Sequence, residues 1–239
     1  MQWPMNHDRR MDSQDTPDSA ASSNKASPER DTSRKSGANS NSGARVRDPE
    51  RREKILEVAV ELIASKGYQA VSLDDIGSAA GIVGSGVYRH FNTKVDILVQ
   101  ILDRVVDRLV RDAEAILRQT DDPGTALTAL VRGHIDFTLM ERELCVVYVG
   151  ELRSLPRTDR RRLRWKQRHY VDLWIDLLRM ARPELTPEQA QVRVHATISS
   201  IHSVLLYHSP LDQPGLTDEM VMVSGDVLGL PRTSPVTSG

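Results

Sequence analysis

Three glycines, at 81, 84 and 86 in the run GIVGSGVYRHF (81–91), have the spacing of loops whose backbone folds around a phosphate. That phosphate would belong either to a nucleotide cofactor or to a nucleic acid. A dinucleotide loop needs a buried strand just before the glycines and a full helix just after them. Neither flank fits. Ile76 and Ala80, ahead of the glycines, recur at helical spacing, and VYRH leaves only about a turn or two before Phe91 and the NTK break. Helix, tight glycine turn and short helix is instead the geometry of a helix-turn-helix, so the chemistry points to the backbone of a nucleic acid.

The elements that would position this turn are helical nearly everywhere from Asp48 onward. Ile55, Leu56, Ala59, Leu62 and Ile63 predict a helix from about Pro49 to Lys66, stopped by Gly67. Ser72 in SLDD puts a hydroxyl at an N-cap and a carboxylate three residues later, which opens a short second helix ended by Gly81. After NTK, Thr93 caps a long helix whose stripe runs through Leu98, Leu102, Val105, Leu109 and Ile116 to the DDPG break at 121–124. Further helices are predicted near 125–140, 142–154 and 158–181. TPEQ (186–189) opens one to about His208, and TDEM (217–220) opens a last one ending near Gly229. Residues 1–47 are rich in Ser, Asn, Asp, Arg and Gly with few aliphatic side chains, and are expected to be a disordered arm. Residues 231–239 read as a tail.

Composition narrows the class. The 239 residues, 39% hydrophobic, suffice for a real core. Charge interrupts every apolar run, as in ILDRVVDRLV, well short of the ~18 unbroken residues that would span a bilayer. The N-terminal stretch lacks the apolar run of a secretory signal, and the lone Cys145 suits a reducing cytoplasm, the expected compartment. A formal net charge of -1 means that any positive surface for a nucleic acid must be local.

The run VSLDDIGSAAGIVGSGVYRHFNTKVDIL, with RREKILEVAVELIASKGY before it, resembles the DNA-binding domain of TetR-type bacterial transcription regulators. Ser72, Ile76, Gly77, Ala80, Gly81, Ile82, Val87, Tyr88, His90, Phe91 and Lys94 carry the resemblance. It implies an all-α, nine-helix fold with a helix-turn-helix domain at 48–95 and a ligand-binding and dimerisation domain at 96–230. It implies duplex operator DNA, a second copy and a small-molecule effector as partners, with no cofactor, catalytic residue, metal site or membrane. DNA contacts are expected from Ser72, Val83, Gly84, Ser85, Gly86, Tyr88, Arg89, His90 and Lys94, with Val87 packing inward or meeting thymine methyls if exposed. Gly81 permits the turn between the helices. The family usually has a Ser where Val83 stands and often a basic residue at Gly84, so shape readout is expected to supply more of the specificity here.

Two recognition elements about 34–36 Å apart match one DNA turn, so a homodimer is expected, with Ala190, Val194, Ile198, Ile201 and Leu205 as its seam. Core packing within one subunit is the competing account of that stripe. Phe137, Met140, Tyr148, Trp165, Tyr170 and Trp174 concentrate the aromatic content of a chain that is only 4% aromatic, and could line an apolar effector pocket. Ordinary core is the alternative for each. RTDRRRLRWKQR (157–168) places seven Lys and Arg against one Asp at a helix start, where an anion would relieve the macrodipole. An acyl-CoA held by Arg160, Arg161 or Arg164 is one solution, and solvation or pairing with Glu141, Glu143 or Glu151 is the other. His195, His202 and His208 lack the spacing of a metal site. The functional expectation is a repressor released by a small apolar or acyl-CoA-like effector; the alternative is a lipid or acyl-CoA binding protein with a vestigial DNA-binding domain.

Overall fold

The structure is a computed structural model and describes residues 49–82 and 84–231. Helix α1 (Pro49–Lys66) buries Ile55, Leu56, Val58, Ala59 and Ile63, and the Gly67 N–H closes it on the Ile63 carbonyl at 2.8 Å. A 3-10 turn, Tyr68–Ala70, leads into α2 (Leu73–Ala79). The Ser72 hydroxyl accepts from Asp75 N–H at 3.0 Å and Asp75 Oδ2 accepts from Ser72 N–H at 2.8 Å, the reciprocal cap that the sequence pattern predicts. Helix α3 (Lys94–Leu117) begins on an equivalent Thr93–Asp96 box, and α4 (Pro123–Met140) on Asp122. Next come α5 (Arg142–Glu151), α6 (Arg157–Ala181), α7 (Pro187–Ser203) with its Thr186–Gln189 box, and α8 (Gln213–Leu228). The fold is all-helical, with no strand among the described residues.

Among the described residues eight α-helices and, after the turn, the 3-10 segment Gly84–Arg89 stand where nine helices are expected. Two glycines in six residues leave too little helix propensity for an α-helical nucleus. The last helix begins at Gln213 instead of at TDEM. Asp212 accepts from Gly215 N–H and caps it, and Thr217 is buried inside the helix with its hydroxyl toward Asp136. Helix α7 ends at Ser203, short of His208, followed by a 3-10 turn at Val204–Leu206. The Arg142 guanidinium gathers the carbonyls of Val204, Leu205 and Tyr207 there, satisfying groups that a longer helix would have paired internally.

The core runs through α3, α4, α6 and α7. Ile97, Leu98, Ile101, Leu102 and Val105 on α3 are fully buried, as are Leu127, Leu130 and Trp174. Ala190, Val194, Ile198 and Ile201 are buried within the single chain, so the stripe expected to form a seam is internal packing. Leu205 is partly exposed. The outward face of α7 carries Val192, Ala196 and Ser199 instead, with Met222 exposed on α8. Spacing reveals that a stripe is buried and leaves open what buries it.

Candidate functional site

The turn between α2 and the 3-10 segment passes through Gly81 at φ 69°, a left-handed conformation that a side chain would strain. Beyond it the segment lies against α2 so closely that a Cβ on Gly77 would meet Val87 Cγ2 at 2.9 Å, and one on Gly86 would collide with the Ile82 side chain. Gly86, expected to let the segment approach a groove floor, thus serves inward packing. Val87 is buried too, so its methyls do not reach a base. Phe91 anchors the end of the segment, with the Arg52 guanidinium 4.7 Å above its ring.

Packing Val87 and Phe91 inward turns Tyr88 and Arg89 outward. Tyr88 is 50% exposed, Arg89 is exposed and His90 is half-buried, so a phenol and a guanidinium project from a backbone held flush to α2. Val83 and the surroundings of Gly84 and the Ser85 side chain fall outside the described residues. The Ser72 hydroxyl donates to Asp75 Oδ2 at 2.6 Å, so it is engaged in its own cap. Lys94 needs a correction: its ammonium donates to the carbonyls of Tyr68 at 2.8 Å and Val71 at 2.6 Å, and sits 4.2 Å from the Tyr68 ring centroid. These contacts make it a clamp between the start of α3 and the turn after α1, not a donor aimed outward. On its other side the Tyr68 N–H donates to Glu151 at the end of α5, whose second oxygen accepts from Ser154. Burial and that carboxylate both push the Tyr68 phenol upward, burial foremost.

The other candidate site is an open groove of about 900 Å³. Apolar Val110, Phe137, Leu144 and Trp165 line it together with Arg104, Arg108 and Arg111. Of the six aromatic or apolar residues expected to form an effector pocket, only Phe137 and Trp165 reach this lining. Met140 is 72% exposed, and Tyr148, Tyr170 and Trp174 are core. Arg160, Arg161 and Arg164 lie outside the lining as well. The basic run at 157–168 finds its partners on α3, where Arg162 and Lys166 both reach Asp103 and Lys166 also reaches Asp107. The glutamates expected to balance it take no part in those pairs.

Sequence reasoning missed His134, which gathers Tyr170, Trp174 and His202 into one polar cluster. His134 Nδ1 lies 3.0 Å from the Tyr170 hydroxyl, and its Nε2 lies 3.1 Å from His202 Nε2, with Trp174 edge-on to the His134 ring. Two imidazole nitrogens at that distance share one proton, one donating and one accepting. Burial holds both rings neutral, pushing His202 down to about 4 and His134 well below its ordinary value, where the neighbouring His202 adds to the effect. Among the described residues no set of three His, Cys, Asp or Glu is placed to hold a metal. Burial pushes the Cys145 thiol up to about 12, which leaves it unreactive.

A capped α2, a glycine turn and a short outward-facing segment braced on α1, ahead of a helical body with a mixed apolar and basic groove, define a helix-turn-helix protein. Comparison with known proteins gives the family. Residues 55–101 match the tetR family of bacterial regulatory proteins, and residues 120–210 match the tetracyclin repressor-like C-terminal domain. The chain belongs to the TetR family. It is 36% identical over 95 residues to the HTH-type transcriptional activator FasR of Mycolicibacterium smegmatis, covering 40% of this chain and 43% of that protein. It is 28% identical over 131 residues to the HTH-type transcriptional repressor KstR2 of the same organism, covering 54% of this chain and 63% of the relative. The chain thus spans less than two thirds of the length of these relatives. A TetR-family transcriptional regulator from Bordetella parapertussis superimposes with a TM-score of 0.68 at 25% identity, over 76% of this chain and 98% of that one. No helix among the described residues is long and apolar enough to cross a membrane.

Proposed function

We propose that this protein is a homodimeric, cytoplasmic transcriptional regulator that represses by binding duplex operator DNA, and that a small apolar or acyl-CoA-like effector releases it. It acts by binding and not by catalysis. The observation that carries the reading is the exposure of Tyr88 and Arg89 on a segment locked against α2 by the buried Val87 and Phe91. A side chain presented from a rigid backbone can dock in a groove with little ordering cost. Family membership supports the same function, and the groove beside α3 supports an effector with an apolar body and an anionic end.

The domain division fits this reading, since α3 begins at Lys94 and packs against both α1 and the ligand-side helices, so it can carry a change between them. In the dimer the outward faces of α7 and α8, with Val192, Ala196 and Met222, replace the internal stripe as the contact. A gel shift with the DNA upstream of the chain's own coding sequence tests the function. Binding should weaken linearly in log affinity against log salt, as phosphate contacts require. Tyr88→Ala should cost roughly tenfold, within the range for one base or backbone contact. Absence of a shift on any upstream fragment, or wild-type affinity in Tyr88→Ala, would refute it.

A further inference from the structure

The groove contains a contact whose two halves belong to different parts of the fold. Arg104, Arg108 and Arg111 line it at positions i, i+4 and i+7 of α3, one face of that helix. Arg108 is held by Asp112 one turn on, and Arg111 donates to the Asp107 carbonyl. Both partners lie on α3 itself. Arg104 differs, because its guanidinium forks onto both carboxylate oxygens of Glu53 on α1, one of them at 2.6 Å. Glu53 also lines the groove. The side chains of this pair are 39% and 49% exposed, so water and solutes reach them, and such pairs exchange partners readily.

The lining discriminates between places for an anion. Glu114, one turn from Arg111, disfavours negative charge at that end of the α3 face, some 15 Å along the helix from Arg104. Lys166 is already committed to Asp103 and Asp107. The position beside Arg104 and Arg108 remains: Asp107 there is neutralised by Lys166, Asp112 holds Arg108 from within α3, and Glu53 is the carboxylate that reaches Arg104 from a different helix. Phe137, Leu144, Val110 and Trp165 would receive an apolar chain extending from it.

We propose that the anionic head of the effector, a carboxylate or a phosphate, displaces Glu53 from Arg104, and that this exchange releases α1 from α3 and lowers DNA affinity. The inference rests on the effector-responsive reading above. Helix α1 packs on α2, so a change in its hold on α3 alters the footing of the segment that carries Tyr88 and Arg89. The effector acts through differential affinity, since it binds Arg104 fully only in the state where Glu53 has let go. A single exposed pair suits a coupling of about fivefold, the low end of ordinary allosteric effects.

Decanoate and decanoyl coenzyme A serve as probes, separating a carboxylate head from a phosphate-bearing one. The first readout needs no DNA. Hydrogen exchange over residues 49–66 should accelerate in the wild type when the effective probe is added. In Glu53→Gln it should already be fast and should not change further. Calorimetry should show that probe binding about fivefold tighter to Glu53→Gln, because its competitor is gone. Anisotropy should then give the effector-free Glu53→Gln a DNA affinity near that of the probe-saturated wild type. The charge-reversed double variant Glu53→Arg with Arg104→Glu rebuilds the tie, and should recover DNA affinity while losing its response to the anion. Unchanged exchange in α1 of the wild type with either probe, equal probe affinity in wild type and Glu53→Gln, or a double variant that still responds would each overturn the proposal. A wild type that binds no DNA would instead remove the repressor reading, and the exchange and calorimetry arms would still decide this one.

Discussion

Acidification should unfold this protein through two histidines. His134 is buried and His202 part-buried, their Nε2 atoms 3.1 Å apart, and both are neutral in the folded state, with folded values below the ordinary histidine value of about 6.5. A depressed folded value means that the unfolded chain binds the proton first. The stability these groups confer is therefore complete above about pH 6.5 and is lost as the pH falls toward their folded values, about 4 for His202. At pH 5 protonation of the unfolded chain at His202 alone has removed roughly 2 kcal/mol, and His134, also held below its ordinary value by burial, adds to the loss in the same direction. That is a large share of an ordinary domain's ~5–15 kcal/mol. Urea unfolding at fixed protein concentration between pH 8 and pH 5 would measure it. His202→Gln keeps an amide opposite His134 and removes one titrating ring, so its loss over that range should be smaller than the wild type's by roughly 2 kcal/mol. His195, half-buried and lowered mainly by burial, contributes in the same direction in both proteins and cancels in the comparison. Equal pH dependence in wild type and variant would show that the buried pair is not what responds, and would refute the reasoning.

Lys94→Met should keep the apolar stem and lose the two bonds to the Tyr68 and Val71 carbonyls, costing about 2 kcal/mol of stability read by urea unfolding; a loss of DNA affinity with unchanged stability would return Lys94 to the DNA surface. Val192→Glu places a charge on the exposed face of α7 and should shift the protein from dimer toward monomer in sedimentation, whereas Ile198→Val, inside the subunit, should leave assembly intact. An unaffected dimer in Val192→Glu would move the interface elsewhere.

Much of the fold is legible because its signals are local. The reciprocal caps at Ser72–Asp75, Thr93–Asp96 and Thr186–Gln189 are written in residues three apart, and each one starts a helix. TDEM misleads because Thr217 lacks a Glu or Gln three residues on, while Asp212 needs only one oxygen to cap α8 earlier. The site is legible in part. Tyr88 and Arg89 emerge outward because the apolar Val87 and Phe91, four residues apart, take the inward face of a short segment. Gly86 and Lys94 turn toward their own chain, and the sequence does not reveal this because a small residue and a cation look the same whether they meet DNA or their own fold.

The order of helices, their caps, the glycine turn and the family resemblance are properties of neighbours along the chain, and the residues alone determined them. Partners separated by dozens of residues were decided only in three dimensions. Glu53 meets Arg104, Asp103 meets Arg162, Tyr68 meets Glu151, and His134 meets His202 because packed helices bring them within bonding distance. Periodicity specifies which face of a helix avoids water; the packing of one helix on another selects which polar groups share the resulting interior.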